Sequence, residues 1–168
     1  MNTLLQTLIP SKQTTLALAG STACALALST STHAATLEET NDFSQLATTM
    51  QANGKPLVLA LEADYCTYCA RLKAEHLQPM VNSEDYSKRV VIRTLEFDGD
   101  HEVKDFDGQT ISASAFSSRY KVRITPTLLF LNAKGEEIAE RMLGYNTPEL
   151  YGAYLDRAID TAVEEMAE

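Results

Sequence analysis

Two cysteines three positions apart, Cys66 and Cys69, are the residues of this chain best suited to chemistry. They enclose Thr67 and Tyr68 and follow closely after an apolar run of strand length, Leu57–Leu61. We expect a helix to begin at this motif, and the first turn of a helix has unpaired N–H groups at the positive end of its dipole. Both features stabilise a thiolate and can lower the pKa of a thiol from about 8.5 to roughly 3.5–7.5.

This placement predicts different roles for the two thiols. Cys66, at the start of the helix, is expected to be the exposed nucleophile that attacks a substrate disulfide. Cys69 lies one turn deeper and is expected to resolve the mixed disulfide by closing the Cys66–Cys69 bond. No dissociable cofactor is needed for this reaction, because the dithiol itself carries the two electrons.

The first 34 residues have the composition of a secretory signal. They contain one basic residue, Lys12, and no acid, and residues 14–28 form an uncharged, largely apolar run. This run has 15 residues, whereas a helix that spans a bilayer needs roughly 20. We therefore expect cleavage after residue 34, which leaves residues 35–168 as one exported domain in the periplasm without a stable membrane span.

Removal of this segment also removes Cys24, so the exported chain keeps only the two cysteines of the motif. A lipoprotein signal ending at Cys24 and an uncleaved anchor are the alternative interpretations. Two cysteines cannot supply the four ligands of a structural zinc site, which leaves redox chemistry or binding of Cu(I) between the two thiolates. A Cu(I)-handling protein is the second hypothesis, although no Met flanks the motif and His76 lies about 10 Å from Cys69 along a helix.

The composition of the chain indicates a compact, acidic domain. The 168 residues include 45% apolar residues, only 7 Gly and 5 Pro, and a formal net charge of −9. This content of apolar residues is typical of a folded chain. The negative charge argues against a nucleic-acid partner, because phosphate binding depends on clustered Lys and Arg.

Apolar runs and turn residues predict the element order α-β-α-β-α-β-β-α. The predicted strands are 57–61, 90–97, 127–131 and 136–143, and the predicted helices follow Asp42, cover 70–78 up to Pro79, run from Ser112 to about Tyr120, and begin at Thr147 with Pro148 in the first turn. This order gives a single α/β domain, in which helices flank a mixed central sheet on both faces.

The element order and the motif together resemble the thioredoxin-like family, and in particular the exported SoxW-like thiol–disulfide oxidoreductases. The resemblance extends from Lys55-Pro56 through Gly144 and includes Arg123–Phe130. It implies a thioredoxin-like fold and exchange with protein thiols and disulfides. In an oxidising periplasm it also implies a membrane thiol reductase as electron donor, with reduction of partner disulfides as the favoured direction.

The resemblance also assigns the substrate-binding residues. In this family the proline before the third strand is cis and packs beside the cysteine motif. Here that role falls to Pro126, and it leaves the backbone of Thr125 free to pair with a substrate strand. The other expected contacts are in the motif, next to it, or in a loop bordering the active site: Tyr65, Thr67, Tyr68 and Gly144.

The chain departs from the family pattern near the motif. Thioredoxins commonly carry a buried acid six residues before the first cysteine, where this chain has Ala60. Glu62 faces the same side of the strand as Ala60, and we hypothesise that it is a proton relay beneath Cys69; a partly exposed carboxylate is the alternative. The common Trp before the first cysteine is Tyr65 here, and the common Gly-Pro is Thr67-Tyr68, which affects the redox potential.

Other polar and aromatic residues have simpler interpretations. Asp98, Asp100 and Glu102 begin like a calcium loop, but Val103 stands where Gly is required and Gln109 where Glu is required. We therefore expect no metal site there, but a solvated acidic hairpin that turns at Asp107-Gly108. His76 and His101 are expected to be ordinary histidines, and three tyrosines are expected to pack the last helix on the sheet: Tyr145, Tyr151 and Tyr154.

Overall fold

The computed structural model describes residues 35–167 of the chain. The predicted signal segment, residues 1–34, and Cys24 lie outside this range. The strands of the described domain are β1 (Glu38–Glu39), β2 (Leu57–Glu62), β3 (Val91–Glu96), β4 (Glu102–Lys104), β5 (Thr110–Ser112), β6 (Thr127–Leu131) and β7 (Glu137–Leu143). Its helices are α1 (Phe43–Asn53), α2 (Thr67–Leu72), a π-helical segment (Lys73–Leu77), α3 (Gln78–Val81), α4 (Glu84–Ser87), α5 (Ala113–Arg119) and α6 (Pro148–Glu165).

Five strands form the central mixed sheet in the order β1-β3-β2-β6-β7. β3 is parallel to both β1 and β2, whereas β6 is antiparallel to both β2 and β7. β2 is therefore the central strand, which explains why its side chains are buried on both faces of the sheet. The predicted α/β class and the central mixed sheet are confirmed.

Two layers of helices cover the sheet. Leu57, Leu59 and Leu61 of β2 pack on α1 and α5, whereas Val58 and Ala60 point to the other face. On that other face the core includes the helix of the cysteine motif and α6. The motif helix is thus held in place by packing on the face of the sheet formed by Val58 and Ala60, in the same strand that leads into it.

The motif helix continues beyond the predicted stop at Pro79. α2 runs without a break through the π-helical segment into α3, and Pro79 is the second residue of α3. Proline cannot donate the backbone hydrogen bond that continues an α-helix. The π-helical segment ends at Leu77, two residues before Pro79, and its wider turn, closed by the N–H of Gln78 on the carbonyl of Lys73, changes the bonding pattern before the helix continues to Val81.

The start of α6 also differs from the expectation. Thr147 occupies the cap position, but it has a φ of +50° and its side chain makes no capping hydrogen bond. Tyr145 and Tyr151 are buried in the core, whereas Tyr154 is exposed and lies beneath the guanidinium of Arg157. Tyr154 therefore does not pack into the core as expected, but lies at the margin of the buried face of α6, where it lines an open cleft together with Met142 and Leu143 of β7.

Four short elements were not predicted as strands or helices: β1, α4, and the two paired strands of the hairpin, β4 and β5. The hairpin does turn around Asp107-Gly108, as expected, with Gly108 at a φ of +85°. Its inward side chain, Val103, joins the core formed by α1 and α5. Within residues 35–167, none of the helices has the length and apolar character needed to cross a bilayer.

Candidate active site

The cysteine motif lies at the junction of β2 and α2. Cys66 has extended backbone angles and occupies the cap position of α2, and its sulfur accepts a hydrogen bond from the N–H of Cys69 at 3.2 Å. The carbonyl of Cys66 accepts the first helical bond, from the N–H of Ala70 at 3.1 Å. The sulfur of Cys66 is therefore where the unpaired amides of the first turn can stabilise a negative charge.

The two sulfurs are joined in a disulfide, with 5.2 Å between the Cα atoms of Cys66 and Cys69. Cys66 is partly accessible, whereas Cys69 is only 3% exposed. A protein substrate can therefore approach the first sulfur but not the second. The two exposures agree with the assignment of Cys66 as the attacking residue and Cys69 as the resolving residue.

Pro126 lies at the same end of the sheet as the motif. β6 runs antiparallel to β2 and pairs Thr127 with Leu61, so the next position brings Pro126 opposite Glu62. The peptide bond between Thr125 and Pro126 is cis, the form that the resemblance implies. Pro126 is buried and Thr125 is partly exposed, which leaves the backbone before the proline near the surface.

Gly144 directly follows β7 and contacts Pro126. Its N–H donates a hydrogen bond of 2.8 Å to the carbonyl of Pro126, and its φ of +70° is one that residues with a side chain rarely adopt. The loop after β7 is thereby tied to the segment that precedes β6. The structure thus brings Gly144, Pro126 and the motif to one end of the sheet.

Exposed apolar side chains surround the motif. Tyr65, which precedes Cys66, is 94% exposed and has a φ of +54°. Tyr68 and Thr67 of the motif are also exposed. Ile124, which stands two positions before Pro126 in the chain, is exposed as well. Large exposed apolar groups of this kind are typical of a surface that binds another protein.

Glu62 is the last residue of β2 and is only 7% exposed. Its carboxylate oxygens lie 2.9 and 3.0 Å from the Nζ of Lys73. A buried carboxylate is costly unless it is paired, and Lys73 supplies that charge from the helix of the motif. This agrees with a buried carboxylate and not with the alternative of an exposed strand-end residue.

Lys73 is a site residue that the sequence interpretation missed. It lies four residues after Cys69, one helical turn further on and on the same side of the helix. The four-residue spacing could have indicated that Lys73 lies near Cys69, but it does not reveal that the Lys73 side chain turns towards β2. The contact depends on how the helix is laid against the sheet.

A cleft of about 450 Å³ adjoins the disulfide and contains several acids. Its lining residues are Glu62, Ala63, Asp64, Tyr65, Cys66, Thr67, Cys69, Ala70, Lys73 and Glu96. Glu96 reaches it because β3 is parallel to β2 and in register with it, which pairs Glu96 with Glu62. Sequence interpretation missed Glu96, because its position depends on strand register.

The acids in and next to this cleft are linked by hydrogen bonds and by the repulsion between their charges. The carboxylate of Asp98 accepts the N–H of Asp64 at 3.0 Å, and the carboxylate of Asp64 accepts the N–H of Tyr65 at 2.9 Å. Desolvation, followed by the charges of Asp64 and Asp98, raises the pKa of Glu96. Among residues 35–167, no Lys, Arg or His nitrogen lies within 4 Å of the carboxylates of Asp64, Glu96 or Asp98.

Neither His76 nor His101 lines the cleft beside the disulfide. His76 is partly buried against the rings of Tyr145 and Tyr151, and its Nε2 lies 3.1 Å from the hydroxyl of Tyr145. His101 lines a separate cleft together with Glu39 and Glu96. In the part of the chain from residue 35 to 167, no three His, Cys, Asp or Glu side chains are arranged to hold a metal ion.

Comparisons with known proteins agree with this geometry. The sequence profile of the thioredoxin-like domain family matches residues 43–159. The solved structure of the DsbH oxidoreductase is 18% identical in sequence and has a TM-score of 0.52, and the similarity covers 78% of this chain and 88% of that chain. At this identity the similarity shows the fold alone.

Two thioredoxins are also similar in structure. The thioredoxin of Fasciola hepatica is 18% identical, with a TM-score of 0.49 over 73% of this chain and 99% of that one. Poplar thioredoxin h is 21% identical and has a TM-score of 0.47, and the similarity covers 67% of this chain and 85% of that chain. A search of curated protein sequences gives no significant match.

The family match covers the motif, the strand that leads into it, and the segment that contains Pro126. In that setting a disulfide between Cys66 and Cys69 at the start of a helix supports thiol–disulfide oxidoreductase activity. By its sequence profile, its fold and its Cys-x-x-Cys motif, the chain belongs to the thioredoxin-like domain family.

Proposed function

We propose that this protein is a periplasmic thiol–disulfide oxidoreductase that reduces disulfides in partner proteins, as a SoxW-like member of its family. The observation that carries the proposal is the Cys66–Cys69 disulfide at the start of α2, with the first sulfur accessible and the second buried. Protein thiols and disulfides are its substrates. A membrane thiol reductase is the proposed electron donor that regenerates the dithiol.

The reaction proceeds in two exchanges. The thiolate of Cys66 attacks one sulfur of the substrate disulfide, so that a mixed disulfide forms and the other substrate sulfur leaves as a thiolate. Cys69 then loses its proton and attacks the sulfur of Cys66, which releases the second substrate thiolate and leaves the Cys66–Cys69 disulfide. Two electrons pass from the protein to the substrate, and the donor must return them.

Glu62 accepts the proton of Cys69 in this scheme. Cys69 is buried and has to be deprotonated before it can attack, and Glu62 is the buried carboxylate that lines the same cleft. Lys73 holds the carboxylate in place through its ammonium group. The cleft connects this pair to the surface, so that the proton can leave to solvent.

The substrate docks at the end of the sheet that carries Pro126. The partly exposed backbone of Thr125 offers hydrogen bonds to an extended substrate segment, as strand addition requires. Tyr65 and Tyr68 offer exposed rings beside the sulfur of Cys66, and Gly144 keeps the neighbouring loop close to Pro126. These contacts hold the substrate disulfide in line with the attacking sulfur.

The acidic cleft supports the reducing direction. Lys73 balances the charge of Glu62, but the carboxylates of Asp64 and Glu96 also share the cleft with Cys66, and this negative charge disfavours the thiolate that the reduced protein must carry. Destabilising the reduced form makes the dithiol a stronger reductant. The amides of the first turn act in the opposite sense, so the measured potential decides between reduction and oxidation.

The redox potential of residues 35–168, measured by equilibration with reduced and oxidised glutathione, tests the direction. We expect a potential below about −230 mV, closer to thioredoxin than to the strongly oxidising DsbA. The same protein should reduce the disulfides of insulin when dithiothreitol is supplied. A potential near that of DsbA, about −120 mV, would contradict the proposed direction.

Export is tested separately. Residues 1–34 fused to alkaline phosphatase, which is active only after transport to the periplasm, should give active enzyme and a shortened product. The same fusion without residues 1–34 is the control and should remain inactive. An inactive full fusion would contradict the proposed location without affecting the redox activity.

A further inference from the structure

A chain of hydrogen bonds links Tyr145 to the motif helix. Tyr145 follows Gly144 directly in sequence and is only 4% exposed. Its hydroxyl donates to the carboxylate of Glu75, and the Nε2 of His76 lies 3.1 Å from the same hydroxyl. The guanidinium of Arg71 bonds the carboxylate of Glu75 at 3.0 Å and lies 5.3 Å from the centre of the Tyr145 ring.

The chemistry of the three side chains determines which group donates and which accepts in each of these hydrogen bonds. An ionised carboxylate only accepts hydrogen bonds, so the hydroxyl of Tyr145 is the donor to Glu75. The hydroxyl oxygen can then accept from the Nε2–H of His76. Burial and the bond to Glu75 raise the pKa of Tyr145 to about 12, and the bond from Tyr145 lowers the pKa of Glu75. Both shifts keep the phenol protonated and the carboxylate charged at neutral pH.

The shape of the motif helix brings these partners to Tyr145. Glu75 and His76 both belong to the π-helical segment, which widens the helix just after α2. Such widened turns often occur at functional sites. The first residue of the same segment, Lys73, holds Glu62 at the end of β2. The segment therefore contacts the site on two sides, through Glu62 and through Tyr145.

Tyr145 connects this segment to the loop beside Pro126. Gly144, its neighbour in the chain, bonds the carbonyl of Pro126 at 2.8 Å. The ring of Tyr145 also packs edge-on against Tyr151 of α6, with 4.7 Å between the ring centres. The loop that follows β7 is thus held between the motif helix and α6 at the point where it contacts Pro126.

We propose that Tyr145 is a positioning residue for protein substrates, whose hydroxyl fixes the Gly144 and Pro126 side of the docking surface relative to the helix that carries Cys66. This inference rests on the proposed disulfide exchange. Tyr145 touches neither sulfur and takes no part in the chemical step. Its contribution is to binding of an extended partner, which must contact both Cys66 and the segment before Pro126.

The test compares Tyr145→Phe with Tyr154→Phe, using insulin as a protein substrate and bis(2-hydroxyethyl) disulfide as a small one. Tyr145→Phe keeps the buried ring but removes the hydroxyl. We expect it to raise KM for insulin about fivefold, because a hydrogen bond to a charged group is lost, with kcat and the small-disulfide rate unchanged. Tyr154, 47% exposed, has no hydroxyl hydrogen bond within residues 35–167, so Tyr154→Phe should match the parent.

A second pair of variants separates positioning from simple loss of stability. Glu75→Gln keeps an oxygen that can accept the hydrogen bond of the hydroxyl and should leave KM near the parental value, whereas Glu75→Ala should raise KM as Tyr145→Phe does. All assays are made well below the unfolding temperature of each variant. An unchanged KM in Tyr145→Phe, or an equal loss with both substrates, would overturn the inference. Inactivity of the parent with both substrates would instead overturn the proposed function.

Discussion

The ammonium of Lys73 lies 2.9 Å from the carboxylate of Glu62 and joins the motif helix to the end of the central strand. Glu62 is buried, whereas the Lys73 side chain is 41% exposed. The pair therefore places a buried acid near Cys69 and compensates its charge from the solvent side. The usual acid position of thioredoxins is Ala60 here, so this arrangement provides a carboxylate from a different position of the same strand.

Replacing Glu62 should slow the step that depends on deprotonation of Cys69. We expect Glu62→Gln to reduce the rate of mixed-disulfide resolution on the order of 100-fold, the lower end of the effect of losing a general base. Stopped-flow measurements from pH 5 to pH 9 would show a changed pH profile. Glu84→Gln, which changes an exposed acid on α4, is the control. Identical profiles for Glu62→Gln and the parent would exclude the relay.

Single cysteine variants should separate attack from resolution. Cys66→Ser is expected to lose exchange activity, because the accessible nucleophile is absent. Cys69→Ser should retain attack but accumulate mixed disulfides with the substrate, since the resolving thiol is missing. Mass spectrometry under non-reducing conditions measures these adducts. Accumulation of adducts in Cys66→Ser and not in Cys69→Ser would reverse the assigned roles.

The charge of Asp98 should lower the redox potential. Its carboxylate is held next to the motif by the N–H of Asp64. Asp98→Asn removes a negative charge near the thiolate, stabilises the reduced form and should raise the potential on the order of 10 mV, since exposed charges contribute only a few tenths of a kcal/mol. Glutathione equilibration measures the change. Asp85→Asn, on the exposed α4 helix, should leave the potential unchanged, and a decrease in Asp98→Asn would contradict this prediction.

Glu96 should make the stability of the fold depend on pH. Its pKa is raised by desolvation and by neighbouring acids, so the folded state binds the proton more tightly than the unfolded state does. Stability from this group is therefore present at low pH and is lost as the pH rises through the raised pKa.

Glu96→Gln should accordingly stabilise the protein at pH 7 by about 0.5 kcal/mol, the scale of a partly exposed substitution. The gain should disappear below about pH 3, where the parental carboxyl is protonated in both states, because an unperturbed Glu has a pKa of about 4.3. Urea unfolding of the oxidised proteins at several pH values measures the difference. A constant difference at all pH values would show that the charge of Glu96 is not its cause.

The core behind the site should determine overall stability. Phe130 of β6 is fully buried between β2 and β7, on the side of the sheet that carries α6. Phe130→Ala should cost about 3–5 kcal/mol, because it removes packing and leaves a cavity. Leu150 is 50% exposed, so Leu150→Ala should change stability by less than about 0.5 kcal/mol. Equal losses of unfolding free energy in the two variants would contradict the assigned core.

Local sequence patterns determined the reactive centre and most of the elements. A short unbroken apolar run is typical of a strand covered on both faces, and Leu57–Leu61 lies in such a strand. The cysteines follow it and begin a helix, which sets their different exposures. Both features depend on residues that are neighbours in the chain, so a single sequence contains the necessary information.

Tertiary structure decided the contacts that complete the site. Glu96 reaches the cleft only through the register of β3 with β2, and Lys73 meets Glu62 only because of how the helix packs on the sheet. Tyr145 meets Glu75 across a separation of 70 residues. Charge and hydrogen-bond pairs of this kind carry no periodic signal in the sequence, because their geometry exists only after the core has brought distant segments together.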